Sequence, residues 1–377
     1  MQEDAIVFTK IRLKVMIMVL WTNGQGVLDG DSYWFVPSEM PILCEYSISG
    51  KKICRVVFLE DCTAKYDSHY GLLKVGDKII LCPTRDMNIY VYDLLEDKQI
   101  SIRILGEEDA LEKLVVCAAY NDYVYFFPRV YPSIIRLNVN TMEVDYIKSG
   151  FVEKELEEHG RCTNYAAILD NNVFLTTLDS NRVCVFDMEN ETEYIKAIGN
   201  KDSRYKAICT NDDNQIVLVN QKGEMIFLDK ELNVFKEKDI GSDEQIYDIL
   251  CADSGYLLIP YNNKAQDIRY FNKDCSKEIH INYEVEKTTW SEKWSYSSFS
   301  RLAYDSNRIV FFSILNKELV IIDKKTLELS DYKIDFSGVD KSTINKLYDF
   351  ILGQDILSED NFPELSLGDY IDYMIDR

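Results

Sequence analysis

Residues 76–98 read GDKIILCPTRDMNIYVYDLLEDK, and this stretch decides the fold. A Gly-Asp turn opens it, an apolar run follows and stops at Pro83, and a second apolar run, IYVY, stops at Asp93. Proline has no amide to continue a strand ladder, so it ends one strand and opens a loop. An aspartate closing an alternating run can bond the backbone two residues on, which marks a hairpin tip. The stretch therefore reads as two antiparallel strands with a turn at each end.

Working outward, the same order recurs seven times along the chain. The later runs are LCEYS, YVYD, IIRLN, VCVFD, MIFLD, IRYFN and LVIID. Their stop residues Ser47, Asp93, Asn138, Asp187, Asp229, Asn272 and Asp323 lie 46, 45, 49, 42, 43 and 51 residues apart. The earlier runs are GDSYWFVP, GDKIILCP, NDYVYFFP, DNNVFLTT, DDNQIVLV, DSGYLLIP and DSNRIVFF, four of them ending at Pro37, Pro83, Pro128 and Pro260. Ahead of the first turn comes another run, with a large first residue in six copies: Tyr70, Lys113, Tyr165, Tyr205, Tyr247 and Phe299. Its fifth residue is Lys74, Cys117, Leu169, Cys209, Cys251 or Ala303, so this alignment gives Cys117, Cys209 and Cys251 one equivalent place near a crowded axis. A fourth strand follows each tip, in segments such as QISIRIL and TEYIKAI.

Four short antiparallel strands per unit, seven times over, predict an all-β, seven-bladed β-propeller, because only a ring gives each sheet two neighbours to cover its faces. A weak inner strand in the first copy, residues 26 to 61, leaves six or eight blades as alternatives. The expected organisation is an extra N-terminal strand over 1–25, the propeller over 26–337 and C-terminal amphipathic helices over 338–377. In that extension Ile344, Leu347, Tyr348 and Ile351 share a helical face behind a candidate cap at Asp340, and Leu367, Tyr370, Ile371 and Met374 repeat the pattern behind Ser366.

Fragments such as NIYVYDLLEDK and ELVIIDKKTLEL give residues 26 to 336 a resemblance to the β-propeller repeat superfamily, in its kelch-like and YVTN-like bacterial branches. The paired glycines of kelch repeats and the Gly-His and Trp-Asp pairs of WD repeats are missing, so the resemblance carries no functional residue with it.

Composition narrows the partners. Against 42 Lys and Arg stand 64 Asp and Glu, a net charge of −22, which repels a phosphate backbone and an anionic bilayer. Nucleic acid and membrane insertion are therefore not expected. The ten cysteines show no CxxC spacing and fall in apolar runs, as small core residues of a reduced, cytoplasmic protein would. Lys10, Arg12 and Lys14 precede an apolar run, Val15 to Trp21, that is too short for a membrane span and alternates like a strand.

No GxSxG, HExxH, Walker or dinucleotide-binding motif occurs, and with His69, His159 and His280 as the only histidines a multi-histidine metal centre is not expected. No metal and no cofactor is predicted. In a propeller, the loops between second and third strands and between blades converge at one mouth of the channel, where ligands bind. That geometry nominates Arg85, Asn88, Arg129, Tyr131, Arg161, Tyr165, Arg204 and Asn262, together with Trp290 and Trp294 in the long insertion YEVEKTTWSEKWSYSS. The acidic run FVEKELEEH reads as a solvated helical face, and Cys162 beside His159 and Arg161 as a structural thiol. The expected function is non-catalytic recognition of a protein or glycan at the channel face. The alternatives are a carbohydrate lyase or glycosidase in the channel, and a structural subunit.

Overall fold

The computed structural model describes residues 22–353, apart from 23, 39, 65–66, 107–111, 178, 221, 241–245, 253–254, 261–266 and 285–298. The expected N-terminal strand, the second C-terminal helix and the tryptophan insertion fall outside the described residues. Seven four-stranded antiparallel sheets form a β-propeller, each built from four consecutive strands. The blades span residues 27–58, 69–103, 114–147, 163–197, 205–239, 246–282 and 303–333. First strands of neighbouring blades touch each other from blade one to blade six, the first strand of blade one touches that of blade seven, and blades six and seven pack through a shared apolar cluster, so these strands surround the axis and the ring is closed.

The turn chemistry is realised blade by blade. Asp93 Oδ1 accepts from the amides of Leu95 and Glu96, Asn138 Oδ1 from Asn140 and Thr141, and Asp187 Oδ1 from Glu189 and Asn190. Asp229, Asn272 and Asp323 do the same, and Ser47 Oγ accepts from Gly50. Each stop residue caps its hairpin and fixes where the outer strand begins.

The core is divided rather than central. Seven clusters of buried apolar side chains occupy the seven junctions between blades. Second strands such as Tyr123–Pro128 and Arg308–Ser313 are buried along almost their whole length, because both faces lie against neighbouring sheets.

Register corrects two expectations drawn from the aligned runs. In blades two to six the ladder slips after the first residue of the inner strand, at His69/Gly71, Leu114/Val116, Thr163/Tyr165, Tyr205/Ala207 and Ile246/Asp248. This extra residue is a β-bulge, and it shifts every later position by one. The bulge is common to blades three, five and six, and what separates the three cysteines is where each ladder starts, at Leu114, Tyr205 and Ile246: Cys117, Cys209 and Cys251 pair with Phe126, Val217 and Tyr256, three different levels counted back from the second-strand ends at Pro128, Asn220 and Pro260. The large residues from Tyr70 to Phe299 do not share one level either. The level three back from the second-strand end is small and buried in four blades, at Ala118, Ala167, Cys209 and Ala303, while blades two and six carry Leu73 and Leu250 there. All ten cysteines are free thiols.

Ring closure has its own devices. Phe35 and Phe312 pack at 4.7 Å across the junction of blades one and seven, with Tyr33 beside them. The chain leaving blade seven then crosses to blade one, where Ile53 donates its amide to Asp335 at 2.7 Å. Gly338 allows this approach, since a Cβ there would stand 2.5 Å from the Ile53 carbonyl. Helix α1 (Gly150–His159) sits between blades three and four, and helix α2 (Lys341–Gly353) lies on the closing junction. Asp340 caps α2 as anticipated, accepting from the amides of Ser342 and Thr343. Leu347 is completely buried, Ile344 and Phe350 pack beside it, and the Lys346 ammonium stands 4.3 Å over the Phe58 ring. Among the described residues no helix is long and apolar enough to cross a membrane.

Leu347→Ala should therefore cost about 2–5 kcal/mol in denaturant unfolding, the range for emptying a fully packed leucine site. A loss under about 0.5 kcal/mol would mean that α2 contributes nothing to closure.

Candidate functional site

The loops between second and third strands and the loops between blades lie at one end of the ring, as up-and-down connectivity requires. The structure brings the described candidates to this face, and each is already engaged. Arg85 lies 4.0 Å from Asp67, and Arg129 Nε stands 2.9 Å from Glu112. Arg161 grips Asp179 with two nitrogens. Each pair joins a loop inside one blade to a neighbouring interblade loop, so an arc of arginine–carboxylate contacts crosses blades two to four. Asn88 is buried, donating to the Asp61 carbonyl at 3.1 Å. Tyr131 is buried and donates to the Leu105 carbonyl. Arg204 donates to the carbonyls of Lys201 and Ser203, each at 2.8 Å. Asn262, Trp290 and Trp294 lie outside the described residues.

Helix α1 projects into this face. Ser149 caps it by accepting from the Val152 amide, and Phe151 and Val152 bury themselves in the junction of blades three and four. The acidic run is not wholly a solvated face: Glu155 is 0% exposed and accepts from Arg182 at 2.6 Å and Ser180 at 3.2 Å. A carboxylate buried so deeply needs such partners, and Arg182 also reaches Glu158 at 2.6 Å. His159 sits over them with Nε2 3.7 Å from Glu158. Burial pushes the Cys162 thiol up to about 12, so it is no nucleophile at neutral pH.

Below the mouth, Arg301 of the seventh blade reaches across the axis. Its guanidinium donates to the Asn164 carbonyl at 2.8 Å and the Val115 carbonyl at 3.4 Å, and stacks over Tyr165 at 4.9 Å. One side chain thus ties blade seven to blades three and four through the channel. Asp248, on the inner strand of blade six, faces the same space and accepts the amides of Ile249 and Leu302. Asp248 is half-buried against the channel, and burial pushes its carboxyl up to about 6 although Arg301 pulls the other way.

Lys206 completes the mouth from the inner strand of blade five, Tyr205–Thr210. Burial lowers its ammonium pKa, with Asp179 acting against the shift and Arg161 with it. Arg161 in turn holds the Asp179 carboxyl below its ordinary range, reinforced by His159 and Arg204. Sequence reasoning missed Lys206, Asp248 and Glu155. The visible signal for the first two was a charge inside an apolar inner strand, in YKAICT and IYDILCA.

Toward the opposite end a cavity of about 610 Å³ opens between blades five and six, lined by Phe227, Phe235, Tyr256, Tyr270, Lys236 and Lys273. Lys236 lies 4.4 Å over Phe227 and donates to the Asp274 carbonyl, while Lys273 pairs with Asp213 at 2.7 Å.

No family model matches the chain, and no curated protein matches it in sequence. Solved structures do resemble it. Virginiamycin B lyase from Staphylococcus aureus superposes with a TM-score of 0.62 at 11% identity, covering 78% of this chain and 92% of the lyase. Kluyveromyces lactis Hsv2 gives 0.55 at 8% identity, covering 82% and 98%, and the computationally designed Ika8 protein gives 0.55 at 12%, covering 83% and 89%. At such identities the likeness is one of fold. For the channel itself, a carboxyl that titrates higher folded than unfolded makes stability fall as pH rises through about 4 to 6. The stability of the wild type relative to Asp248→Asn should therefore drop by on the order of 1–2 kcal/mol from pH 4 to pH 7, part of the carboxyl remaining open to the channel. A pH-independent difference would contradict this placement.

Proposed function

We propose that the chain is a non-catalytic recognition module, reduced and cytoplasmic, that binds a protein partner across the channel face. The observation that carries this reading is the arc of arginine–carboxylate pairs around a channel whose axis Arg301 occupies. A ligand approaching this face meets a broad charged surface rather than a bore, and ion pairs of this kind at a rim give specificity and orientation. Ten free thiols favour the reducing compartment.

A glycan is the second reading for the same face, and an enzyme the third. Sugar recognition leans on open aromatic planes, whereas Tyr131 and Tyr205 are buried with their hydroxyls spent on the Leu105 and Ile198 carbonyls. A catalytically inactive His-to-Ala form of virginiamycin B lyase has been solved with quinupristin. In this chain His69 is buried and donates to the Asn88 carbonyl, burial lowering its pKa to about 4, and His280 lies on the fourth strand of blade six. Neither is placed to act on a ligand in the channel.

The test is hydrogen-exchange mapping of the protein bound to a partner captured from its native lysate, with a glycan array run in parallel. Protection should gather in residues 84–88, 129–133 and 159–165, and Arg129→Gln should weaken binding at least about tenfold, beyond what its loss of the Glu112 pair takes from the thermal midpoint. Protection confined to the groove of Phe227 and Phe235 would move recognition to the opposite end and overturn the proposal.

A further inference from the structure

Among the described residues, two of the seven outer strands carry a bulge, and at the same place. In blade one the ladder slips between Glu45 and Tyr46, which makes Cys54 the extra residue; in blade five it slips between Phe227 and Leu228, and the extra residue is Phe235. Counted from the stop residues Ser47 and Asp229, Ile53 thus corresponds to Val234, Cys54 to Phe235 and Arg55 to Lys236. Their surroundings differ. Ile53 is completely buried, with its amide bonded to Asp335 and its carbonyl against Gly338, both in the segment that leads into α2. Val234 and Phe235 are 43% and 52% exposed, and the Phe235 ring stands 6.4 Å from Phe227 at the 610 Å³ groove. Arg55 meets Glu45 and Asp97 at 3.3 Å each, whereas Lys236 spends its ammonium on the Phe227 ring and the Asp274 carbonyl, which carry no net charge. A bulge re-aims its side chain, and a ring re-aimed toward solvent beside an apolar groove marks a surface that a partner covers.

We propose that the groove between blades five and six is the docking site of this chain's own second amphipathic segment, residues 366–377, which covers the bulged edge of blade five as the segment carrying α2 covers that of blade one. The two segments match in pattern: Leu367, Tyr370, Ile371 and Met374 repeat the spacing of Ile344, Leu347, Tyr348 and Ile351, with Ser366 in the place of Asp340. Length allows the reach. Helix α2 ends at Gly353 on the closing junction, two junctions from the groove, a span on the order of 30–40 Å for blades of four strands about 4.8 Å apart. Residues 354–366, extended, cover about 43 Å. Charge favours the match too, since residues 354–377 hold seven Asp and Glu against one Arg, and an acid of this segment gives Lys236 what Glu45 gives Arg55. The tether also holds the segment at a millimolar effective concentration, ahead of any second copy of the chain.

The cover lies on side chains beyond the ladder, so the paired amides of blade five do not depend on it and the readout is chemical. Full-length chain carrying Val234→Cys is labelled with a maleimide and read site by site in a mass spectrometer. Adding Tyr370→Ser and Ile371→Ser should speed labelling at position 234 at least about tenfold, the cover having been lost, while labelling of Ile100→Cys on the exposed outer strand of blade two stays the same. Val234→Cys with Met374→Cys, given oxidised glutathione, should form an intramolecular disulfide at least about tenfold faster than Ile100→Cys with Met374→Cys, and Phe235→Ser should slow it several-fold. Unchanged labelling at position 234 in the Tyr370→Ser, Ile371→Ser chain would overturn the proposal, whatever the disulfide yield. Equal rates of disulfide formation from positions 234 and 100 would overturn it as well. A disulfide that joins two chains, with a yield that rises with protein concentration, would assign the groove to a second copy and overturn the intramolecular reading.

Discussion

The interaction on which the rest depends is sheet against sheet. Each blade carries apolar side chains on both faces, and only another blade can cover them, so the structure is stable when no blade is last. The seven clusters at the seven junctions are the direct expression of that requirement. Among the described residues the ring closes without lending a strand from one end of the chain to the other end's sheet, each sheet being drawn from one continuous stretch. The junction of blades one and seven must then be held by side chains and by the segment that follows blade seven, through Phe35 and Phe312, the Ile53–Asp335 bond and Leu347.

Closure also determines what the channel can be. Inner strands drawn together leave a narrow space, and Arg301 spans it to reach carbonyls on the far side. The chemistry of the molecule is therefore displaced from the axis to the mouth, where loops of successive blades meet. There arginines and carboxylates of neighbouring loops meet in pairs, at Arg85 and Asp67, Arg129 and Glu112, and Arg161 and Asp179.

Much of the fold was legible because each blade repeats its punctuation. Asp93, Asn138 and their equivalents are local signals: side chain and bonded amide lie two to five residues apart, so sequence alone shows both partners. Asp340 at the start of α2 is legible for the same reason. The ladder starts were not, because the bulged inner strands keep an apolar pattern that does not mark their first paired residue: taking Lys113, Tyr205 and Tyr247 as first residues, where the ladders begin at Leu114, Tyr205 and Ile246, made Cys117, Cys209 and Cys251 look equivalent. The site was legible only as a list of loops. That Arg85, Arg129, Arg161 and Arg204 lie on one face follows from connectivity, but their partners Asp67 and Glu112 sit in other loops, and Arg301 reaches Val115 across the whole ring. Glu155 looked like one more surface acid until the rotation of α1 placed it against Arg182.

The central claim is that the ring is closed by packing and by residues 334–353 rather than by a shared strand. Native-state hydrogen exchange of the chain ending at residue 333, compared blade by blade with the full chain, tests it most directly. The account predicts that amides of blades one and seven lose protection together, while blades three, four and five, whose junctions are untouched, keep theirs. Unchanged protection in blades one and seven would contradict it, and would show that the Phe35–Phe312 junction holds the ring without help.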